Sequence, residues 1–474
     1  MLLVVIGQPL LTPKVPAGDR RTAQRRNAFL APRRRARGWP RAKAHPLVRG
    51  RRRAAKIPPL LHDRTFRLFW LGQSVSMLGD QISLLALPLV AVLVLDAGPA
   101  QMGYLTAAGV APSLLFSLHV GVRVDRRGRR RRTMLVADVI RAALLLTIPT
   151  AYALDSLTMA QLYAVIFCVG TLDVFFFVAY STLFVSVVRR DQYVEGQALL
   201  NGSRAFSFVG GQGAAGLLVA ALTAPVAVVA DALTFLVSAL FLSRIDPPEP
   251  PTAPEDQGQL LVGARFIAGS GVVRAALAAT ATANFFNYVY AAVFVLFATR
   301  TLGLPPEVLG LSLGFGAVGG LVGAALAGRI GRRIGIGPEF VLGCLLFSAP
   351  LALLPAAGGA RALVVALVVA AEFGVGFGVI LLDISVGAIF AAVIPDELRG
   401  RVSGAYRAVN YGIRPLGALT GGFLGSAIGL RATLWVAVVG GCAAVLWLVA
   451  SPVVRLRVLP DGAPAAEGAV GAAD

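Results

Sequence analysis

The stretch GVRVDRRGRRRRTML, residues Gly121 to Leu135, places a dense group of arginines around a single acid, Asp125. Long apolar runs lie on both sides of it, from Met102 to Val122 and from Thr133 to Leu154. A run of about 20 apolar residues is long enough to cross the hydrocarbon core of a bilayer as a helix. The stretch is therefore expected to be a charged connection between two membrane-spanning helices.

The composition of the whole chain agrees with a membrane protein. Its 474 residues are 57% hydrophobic and 14% charged with a formal net charge of +20, and its mean hydropathy is +0.75. A soluble protein has about 25% charged residues. Nucleic-acid binding would explain the charge but not the hydrophobicity, whereas a membrane protein with its basic residues sorted to one side explains both. We therefore expect a lipid bilayer around the chain and no nucleic-acid partner.

Twelve apolar segments qualify as membrane spans, which predicts an all-α polytopic membrane protein. Six of them precede a polar stretch: Leu68–Leu95, Met102–Val122, Thr133–Leu154, Met159–Val188, Ala198–Leu222 and a segment ending near Leu242. Six follow it: Val273–Thr299, Val308–Ile330, Phe340–Leu354, Ala362–Val393, Val402–Ile428 and Ala432–Ala450.

The connections between these segments alternate in charge. The first, third and later odd connections are short and nearly uncharged, as in LDAGPAQ and LDSLT, whereas the even ones are basic, as in VRRDQY and GRIGRRIG. Lysine and arginine are retained on the cytoplasmic side of a membrane. We therefore expect a multi-pass protein of the cell membrane with both termini in the cytoplasm.

The polar stretch DPPEPPTAPEDQGQ, Asp246 to Gln259, is rich in proline and acid and predicts a flexible linker. It divides the spans into two sets of six, which is typical of a duplicated unit. The expected domains are a basic disordered cytoplasmic tail (1–59), an N-terminal six-helix bundle (60–244), a cytoplasmic linker (245–272), a C-terminal six-helix bundle (273–452) and a second cytoplasmic tail (453–474).

Two interpretations of the first 59 residues stay open. Residues 1–56 carry many arginines against one acid, Asp19, so they are expected to lie on anionic lipid as a disordered tail. Alternatively, translation begins near Leu60. No methionine lies between Met1 and Met77, so that start would need a non-AUG codon.

Residues that typically carry enzymatic chemistry are scarce. Cys168, Cys344 and Cys442 each lie in an apolar run, far apart and without a histidine nearby, which favours small buried side chains over a metal site or a nucleophile. No G-x-x-x-x-G-K-[ST] sequence occurs, so ATP is not the expected energy source. We therefore expect no metal, no cofactor and no enzymatic activity, and a polytopic membrane enzyme is the remote alternative.

The loop GVRVDRRGRR, between the second and third of twelve spans, resembles the signature loop of the major facilitator superfamily. More narrowly, FRLFWLGQSVSMLGDQISLLALPL in the first span and DELRGRVSGAYRAVNYGIRPLGALTGG near the eleventh are similar to the macrolide-efflux and enterobactin-exporter branch. The resemblance covers about residues 60–450 and implies two six-helix bundles. It also implies that the loop latches these bundles on the cytoplasmic side through five residues: Gly121, Asp125, Arg126, Gly128 and Arg129.

Ionisable residues inside the spans are the candidates for the transport pathway, because they are costly in a bilayer and are retained for function. A carboxyl group at that depth can carry a proton. The strongest candidates are four acids and two arginines that are possible partners for them: Asp80, Asp173, Glu372, Asp383, Arg204 and Arg414. Asp231 is a weaker candidate, and Asp138 with Arg141 is expected to form a structural ion pair, because the two are three residues apart on one helix.

The resemblance and these residues together predict a secondary active transporter that exports a small amphipathic compound by proton antiport. Antiporters of the superfamily often carry a Gly-Pro pair in the fifth span, where this chain has Gly213 and Ala214. Import by proton symport and passage by a facilitator of the same fold therefore remain alternatives. We expect a monomer that uses the proton gradient and whose partners are the transported compound and the bilayer.

Overall fold

The structure, a computed structural model, describes residues 58–127, 129–247 and 259–457. All regular elements in these three ranges are helices. Six long helices belong to the first half of the chain: α1 (Arg64–Leu93), α2 (Pro99–Arg127), α3 (Arg130–Ala153), α4 (Met159–Val187), α5 (Tyr193–Leu222) and α6 (Ala224–Ser243). The second half contains α7 (Gln259–Gly269), α8 (Gly271–Leu296), α9 (Pro306–Ile334), α10 (Ile336–Ser348), α11 (Leu353–Ala356), α12 (Arg361–Val393), α13 (Asp396–Ala427) and α14 (Leu430–Val449).

Ten of these helical segments are long and apolar enough to cross a membrane. The helices α2 and α13, which match the other two predicted spans, have 29 and 32 residues but are more polar. Both carry charged residues next to a basic connection, which lowers their hydropathy. The all-α polytopic prediction is confirmed, and ten of the twelve predicted spans are confirmed by length and composition.

Polar side chains cap the N-termini of three helices and help to set where these helices begin. Asp63 precedes α1 and accepts a hydrogen bond of 2.9 Å from the backbone N–H of Phe66. Thr158 does the same for α4 and Ser270 for α8. A side-chain cap of this kind satisfies a backbone donor that the helix leaves free. The helix α1 therefore begins four residues before the predicted Leu68.

The ninth predicted span is interrupted by prolines. The helix α10 ends at Ser348, a 3₁₀ turn that contains Pro350 follows, and α11 covers Leu353–Ala356. Proline cannot continue the hydrogen-bond ladder of an α-helix. Together the three pieces form a candidate span of 21 residues, Ile336–Ala356.

The helices pack mainly within each half of the chain. In the first half α1 contacts α5 and α6, α3 contacts α4 and α6, and α2 contacts α4; in the second half α9 and α10 contact α12, and α8 contacts α13 and α14. The strongest contacts between the halves are α2 with α13 and α5 with α9. The exact domain boundaries stay a prediction, because residues 1–57, 248–258 and 458–474, which include most of the tails and the linker, lie outside the described residues.

Part of the predicted linker, 245–272, is helical. The helix α7 lies within it and packs on α13, where the backbone of Gly263 meets the carbonyl of Arg401. A side chain at position 263 would collide with that carbonyl. The second half of the linker is therefore fixed to the C-terminal helices.

The two halves meet near one end of the helices, which we call the neutral-loop end because it carries the uncharged connections. Gly103 of α2 lies against Gly422 of α13, and Gly216 of α5 lies against Pro306 and Gly310 of α9. Small residues let helix backbones approach this closely. We call the opposite end, with the arginine-rich connections, the basic-loop end.

An ion pair joins the halves at the same end. Arg300, in a π-turn (Phe297–Thr301) after α8, donates to Asp96 in the connection between α1 and α2. Asp96 has a positive φ of 49°, a left-handed conformation that aspartate tolerates better than most residues. The pair and the glycine contacts close the structure at the neutral-loop end.

Candidate transport pathway

A single arginine lies at the centre of a group of acids in the first half. Arg141 is near the middle of α3, 2% exposed, and donates to Asp138 on its own helix and to Asp173 on α4. A buried guanidinium with two carboxylate partners is held far more firmly than a surface ion pair. The expected ion pair between Asp138 and Arg141 is present, and the structure adds Asp173 to it.

Two further acids approach this arginine from other helices. Asp80 of α1 lies within electrostatic range of Asp173, Asp231 and Arg141. Asp231 of α6 is 1% exposed and lies against Gly79, the neighbour of Asp80. We refer to Arg141 with Asp80, Asp138, Asp173 and Asp231 as the Arg141 cluster; it brings together α1, α3, α4 and α6.

Aromatic rings enclose the arginine. The guanidinium carbon of Arg141 lies 4.4 Å from the ring centre of Phe176 on α4 and 4.1 Å from that of Phe235 on α6. Cations are attracted to ring faces at these distances. The rings cover the guanidinium, so the fully buried carboxylate of Asp138 depends strongly on the arginine for its charge partner.

The Arg141 cluster contains four carboxyl groups and one guanidinium, so the carboxyls are in excess. The side chain of Asp173 is 45% exposed, whereas those of Asp138 and Arg141 are almost fully buried. Asp173 is therefore one point at which the cluster meets the surface, and Asp80 is also half-buried.

The sequence had identified Asp80 and Asp173 as pathway residues, and the structure brings both to Arg141. Asp231 was ranked lower, although it belongs to the same cluster. The available signal was its place in the apolar run VADALTF. That run shows an acid within the span, but it does not show that α6 turns the acid toward α1 and α3.

A cavity that opens partly to solvent lies in the second half, between α8, α12 and α13. Its wall includes Asp383, Phe390, Tyr406, Asn410, Tyr411 and Arg414. Asp383 is 2% exposed and Arg414 is 5% exposed. Both were predicted pathway residues, and the structure places them on the wall of the same cavity.

Polar contacts between α8 and α13 support this wall. The hydroxyls of Thr280 and Tyr406 are 2.7 Å apart, and Asn284 Nδ2 donates to Asn410 Oδ1 at 3.1 Å. Hydrogen-bonded networks of buried polar groups fix the side chains that take part in them. These four residues were not predicted from the sequence, since isolated Thr, Asn and Tyr residues in apolar runs do not by themselves indicate a functional site.

Glu372 lies apart from Asp383, although both belong to α12. Tyr290 of α8 donates to Glu372 Oε1 at 2.9 Å, while Asp383 faces the cavity. Eleven residues of helix separate the two acids by about 16 Å along the axis. They share a helix face but not a site.

Replacing Tyr290 by phenylalanine is expected to lower the free energy of unfolding by about 1–3 kcal/mol, because the half-buried carboxyl of Glu372 loses its donor. Thermal unfolding of the purified protein in nanodiscs measures the change. The control is Tyr104→Phe, at a tyrosine that is 56% exposed. Equal melting temperatures for the two variants would contradict the assigned hydrogen bond.

The described residues show no ion pair between Arg204, one of the two predicted pathway arginines, and an acid. Arg204 of α5 donates to Asn201 one turn away at 3.5 Å and lies within electrostatic range of Tyr180. Arg414, by contrast, lies within electrostatic range of Asp383. The structure thus brings one of the two predicted arginines near a predicted acid.

The predicted latch residues lie where α2 ends. Gly121, Asp125 and Arg126 belong to the last turns of α2, in a part whose side chains are not described, and Gly128 lies outside the described residues. Arg129 is exposed, precedes α3, and its carbonyl accepts from the Thr133 side chain at 3.0 Å. The latch role of this loop stays a prediction.

Comparisons with known proteins agree with this architecture. The family model of the Major Facilitator Superfamily matches residues 69–417. The multidrug efflux pump Tap of Mycobacterium tuberculosis is 30% identical over 387 residues, which cover 75% of this chain and 85% of that protein. The protein of the same name in Mycobacterium bovis has the same identity and coverage.

Solved transporter structures have the same fold. A bacterial homologue of the human lysosomal transporter Spinster, inward-facing and unoccupied, superposes with a TM-score of 0.66 at 14% identity, covering 86% of this chain and all of that one. An inward-facing bacterial homologue of the iron transporter ferroportin gives a TM-score of 0.64 at 15% identity, covering 82% of this chain and 98% of the other. The matched sequence model, the Tap relatives and the helical fold together show that the chain is a member of the major facilitator superfamily and a transporter.

Proposed function

We propose that the protein exports a small amphipathic compound from the cell in exchange for protons, by alternating access. The observation that carries this proposal is the Arg141 cluster, in which four carboxyls from four helices surround one buried guanidinium. Such a cluster has a carboxyl to spare for a proton, and its charge balance changes when a proton binds. The relationship to the multidrug efflux pump Tap supports the export of an amphipathic compound.

The cluster offers a physical route from proton binding to helix movement. Asp173 is paired with Arg141 and partly exposed. A proton that binds to one of the carboxyls outside α3 removes its charge, so the attraction between that helix and α3 weakens and Arg141 turns to the remaining acids. A change of partner between packed helices is the kind of two-state element that domain movements require. Proton release restores the first arrangement.

The closed end of the structure fits the uptake step of an exporter. The halves meet at the neutral-loop end, which is extracellular if the basic connections are cytoplasmic. The structure then corresponds to a state that is closed on the extracellular side, as in the step in which an exporter receives its compound from the cytoplasm. We place the protein in the cell membrane as a monomer with cytoplasmic termini and with the proton gradient as its only energy source.

The test is proton movement in vesicles that contain the purified protein and a pH-sensitive dye. Ethidium and erythromycin are added separately across a set pH gradient. We expect either compound to drive proton flux in the wild type and Asp173→Asn to abolish it. The control, Asp191→Asn, changes an exposed acid that forms a surface ion pair with Arg189, and is expected to behave as the wild type.

Other outcomes would contradict the proposal in different ways. Compound movement without proton flux would indicate a facilitator of the same fold. Protons and compound moving in the same direction would indicate a symporter. Normal coupled flux in Asp173→Asn would remove the Arg141 cluster from the coupling mechanism.

A further inference from the structure

The cavity in the second half contains a buried acid, Asp383. Neither carboxyl oxygen of Asp383 has a hydrogen-bond partner among the described residues, although the residue is 2% exposed. Arg414 is close enough to interact electrostatically but does not form an ion pair with it. The Nε of Arg414 is also buried and without a hydrogen-bond acceptor in the described part of the chain.

This arrangement differs from that of Arg141. There the guanidinium donates to two carboxylates directly, whereas here opposite charges line one cavity without touching. Burying polar groups without partners costs several kcal/mol and is uncommon in folded proteins. An acid and a guanidinium that face a shared cavity are therefore arranged for a ligand that satisfies both.

Aromatic side chains provide the rest of the cavity wall. The guanidinium of Arg414 lies over Tyr411 at 4.4 Å and over Tyr288 at 5.5 Å, which fixes its direction. Phe390 and Tyr406 stand edge to face with centres 4.7 Å apart and also line the cavity. A site with a few convergent polar groups among apolar and aromatic ones is typical for small organic compounds.

We propose that this cavity binds an amphipathic amine that carries a hydroxyl or carbonyl oxygen near its nitrogen. The ammonium group donates to Asp383, the neighbouring oxygen accepts from Arg414 Nε, and the apolar body contacts Phe390, Tyr406 and Tyr411. The oxygen keeps the ammonium away from the guanidinium, and the two groups of the compound together satisfy Asp383 and Arg414. This inference rests on the proposed export function and deepens it, because it names the compound class and its binding site.

Proton exchange and compound binding then take place in different halves of the transporter. The Arg141 cluster is engaged with its own carboxylates and enclosed by Phe176 and Phe235, which suits proton exchange. The second-half cavity has free space and unpaired groups, which suits compound binding. Protons and compound then occupy different sites, and the movement of the halves couples them.

The test is equilibrium binding of radiolabelled propranolol, an aromatic compound with a hydroxyl beside its amine, to the full chain in nanodiscs. The matched probe is the corresponding diol, in which a hydroxyl replaces the amine. We expect saturable propranolol binding that the diol competes for weakly. Asp383→Asn is expected to weaken propranolol binding about tenfold or more, because the charge-assisted hydrogen bond is lost.

The control is Glu339→Gln, which changes another acid of the same half that is 2% exposed and does not line the cavity. It is expected to bind propranolol as the wild type does. Equal affinity of the wild type for propranolol and the diol would overturn the proposal even if Asp383→Asn fails to fold. Unchanged binding in a folded Asp383→Asn, or displacement of propranolol by sodium ions alone, would also overturn it.

Binding is measured without a proton gradient, so it does not depend on coupling. Binding that requires Asp383, in a protein that shows no compound-driven proton flux, would uphold this inference and reject proton antiport. Proton flux lost in Asp173→Asn, with no binding that requires Asp383, would do the reverse.

Discussion

Replacing Arg141 by alanine is expected to abolish transport and to lower the free energy of unfolding by about 3–5 kcal/mol. The substitution leaves Asp138, which is fully buried, and Asp173 without their common partner. It also removes the positive charge that lies within electrostatic range of Asp80 and Asp231. Removing one member of a buried ion pair costs this much because the remaining charge has neither water nor a counterion.

Lysine is expected to restore only part of the loss. Arg141 donates through separate nitrogens to Asp138 and Asp173 and lies between the rings of Phe176 and Phe235. A planar guanidinium can bridge two carboxylates and stack on two rings at once, whereas an ammonium is a point charge on a flexible stem. Arg141→Lys should therefore be more stable than Arg141→Ala and still transport poorly.

Thermal unfolding in nanodiscs and compound-driven proton flux in vesicles measure the two effects. The matched control is Arg189→Ala, whose ion pair with Asp191 is about three-quarters exposed on both sides. A pair of that kind contributes about 0–1 kcal/mol. If Arg141→Ala were as stable and as active as Arg189→Ala, the Arg141 cluster would have no role in either property.

The long helices could be predicted almost completely from the sequence, whereas α7 lies in the predicted linker. The fourth predicted span, Met159–Val188, differs from α4 by one residue, and the tenth, Ala362–Val393, differs from α12 by one. Hydropathy over about 20 residues is a local property that the bilayer imposes directly. Where the prediction was less accurate, as for α10, a local feature with a known effect was responsible, namely the prolines at 350 and 355.

The partners of the charged residues could not be predicted in the same way. Asp138 and Arg141 were paired correctly because they lie on one helix. Asp173, Asp80 and Asp231 reach the same arginine from three other helices, and the direction in which a helix turns a lone acid depends on tertiary packing. For the same reason Glu372 and Asp383, which share one face of α12, have different surroundings.

Replacing Gly103 by valine is expected to open the transporter at the neutral-loop end. A Cβ at this position would lie 2.7 Å from the backbone Cα of Gly422 and 2.9 Å from the carbonyl oxygen of Ala418. Backbone atoms of a packed helix cannot yield as the end of a flexible side chain can. Overpacking of this kind costs about 1–3 kcal/mol, which shifts a two-state equilibrium about 5- to 150-fold.

The overlap destabilises only the state in which the halves are in contact at the neutral-loop end. The contact between α2 and α13 joins the two halves, so a valine there leaves the packing within each half unchanged. Opening at the neutral-loop end relieves the overlap without unfolding any helix. We therefore expect the substitution to change the conformational equilibrium and slow transport, while the melting temperature changes little.

Spin labels at Ser156 and Gly358, both exposed at the neutral-loop end and in different halves, measure this shift in a chain whose cysteines have been replaced. The distance between the labels should lengthen in Gly103→Val. The control is Gly202→Val in α5, since a Cβ at Gly202 would meet nothing within 4 Å. An unchanged distance in Gly103→Val, with full transport activity, would show that α2 and α13 separate too little during the cycle for their contact to hold the halves closed.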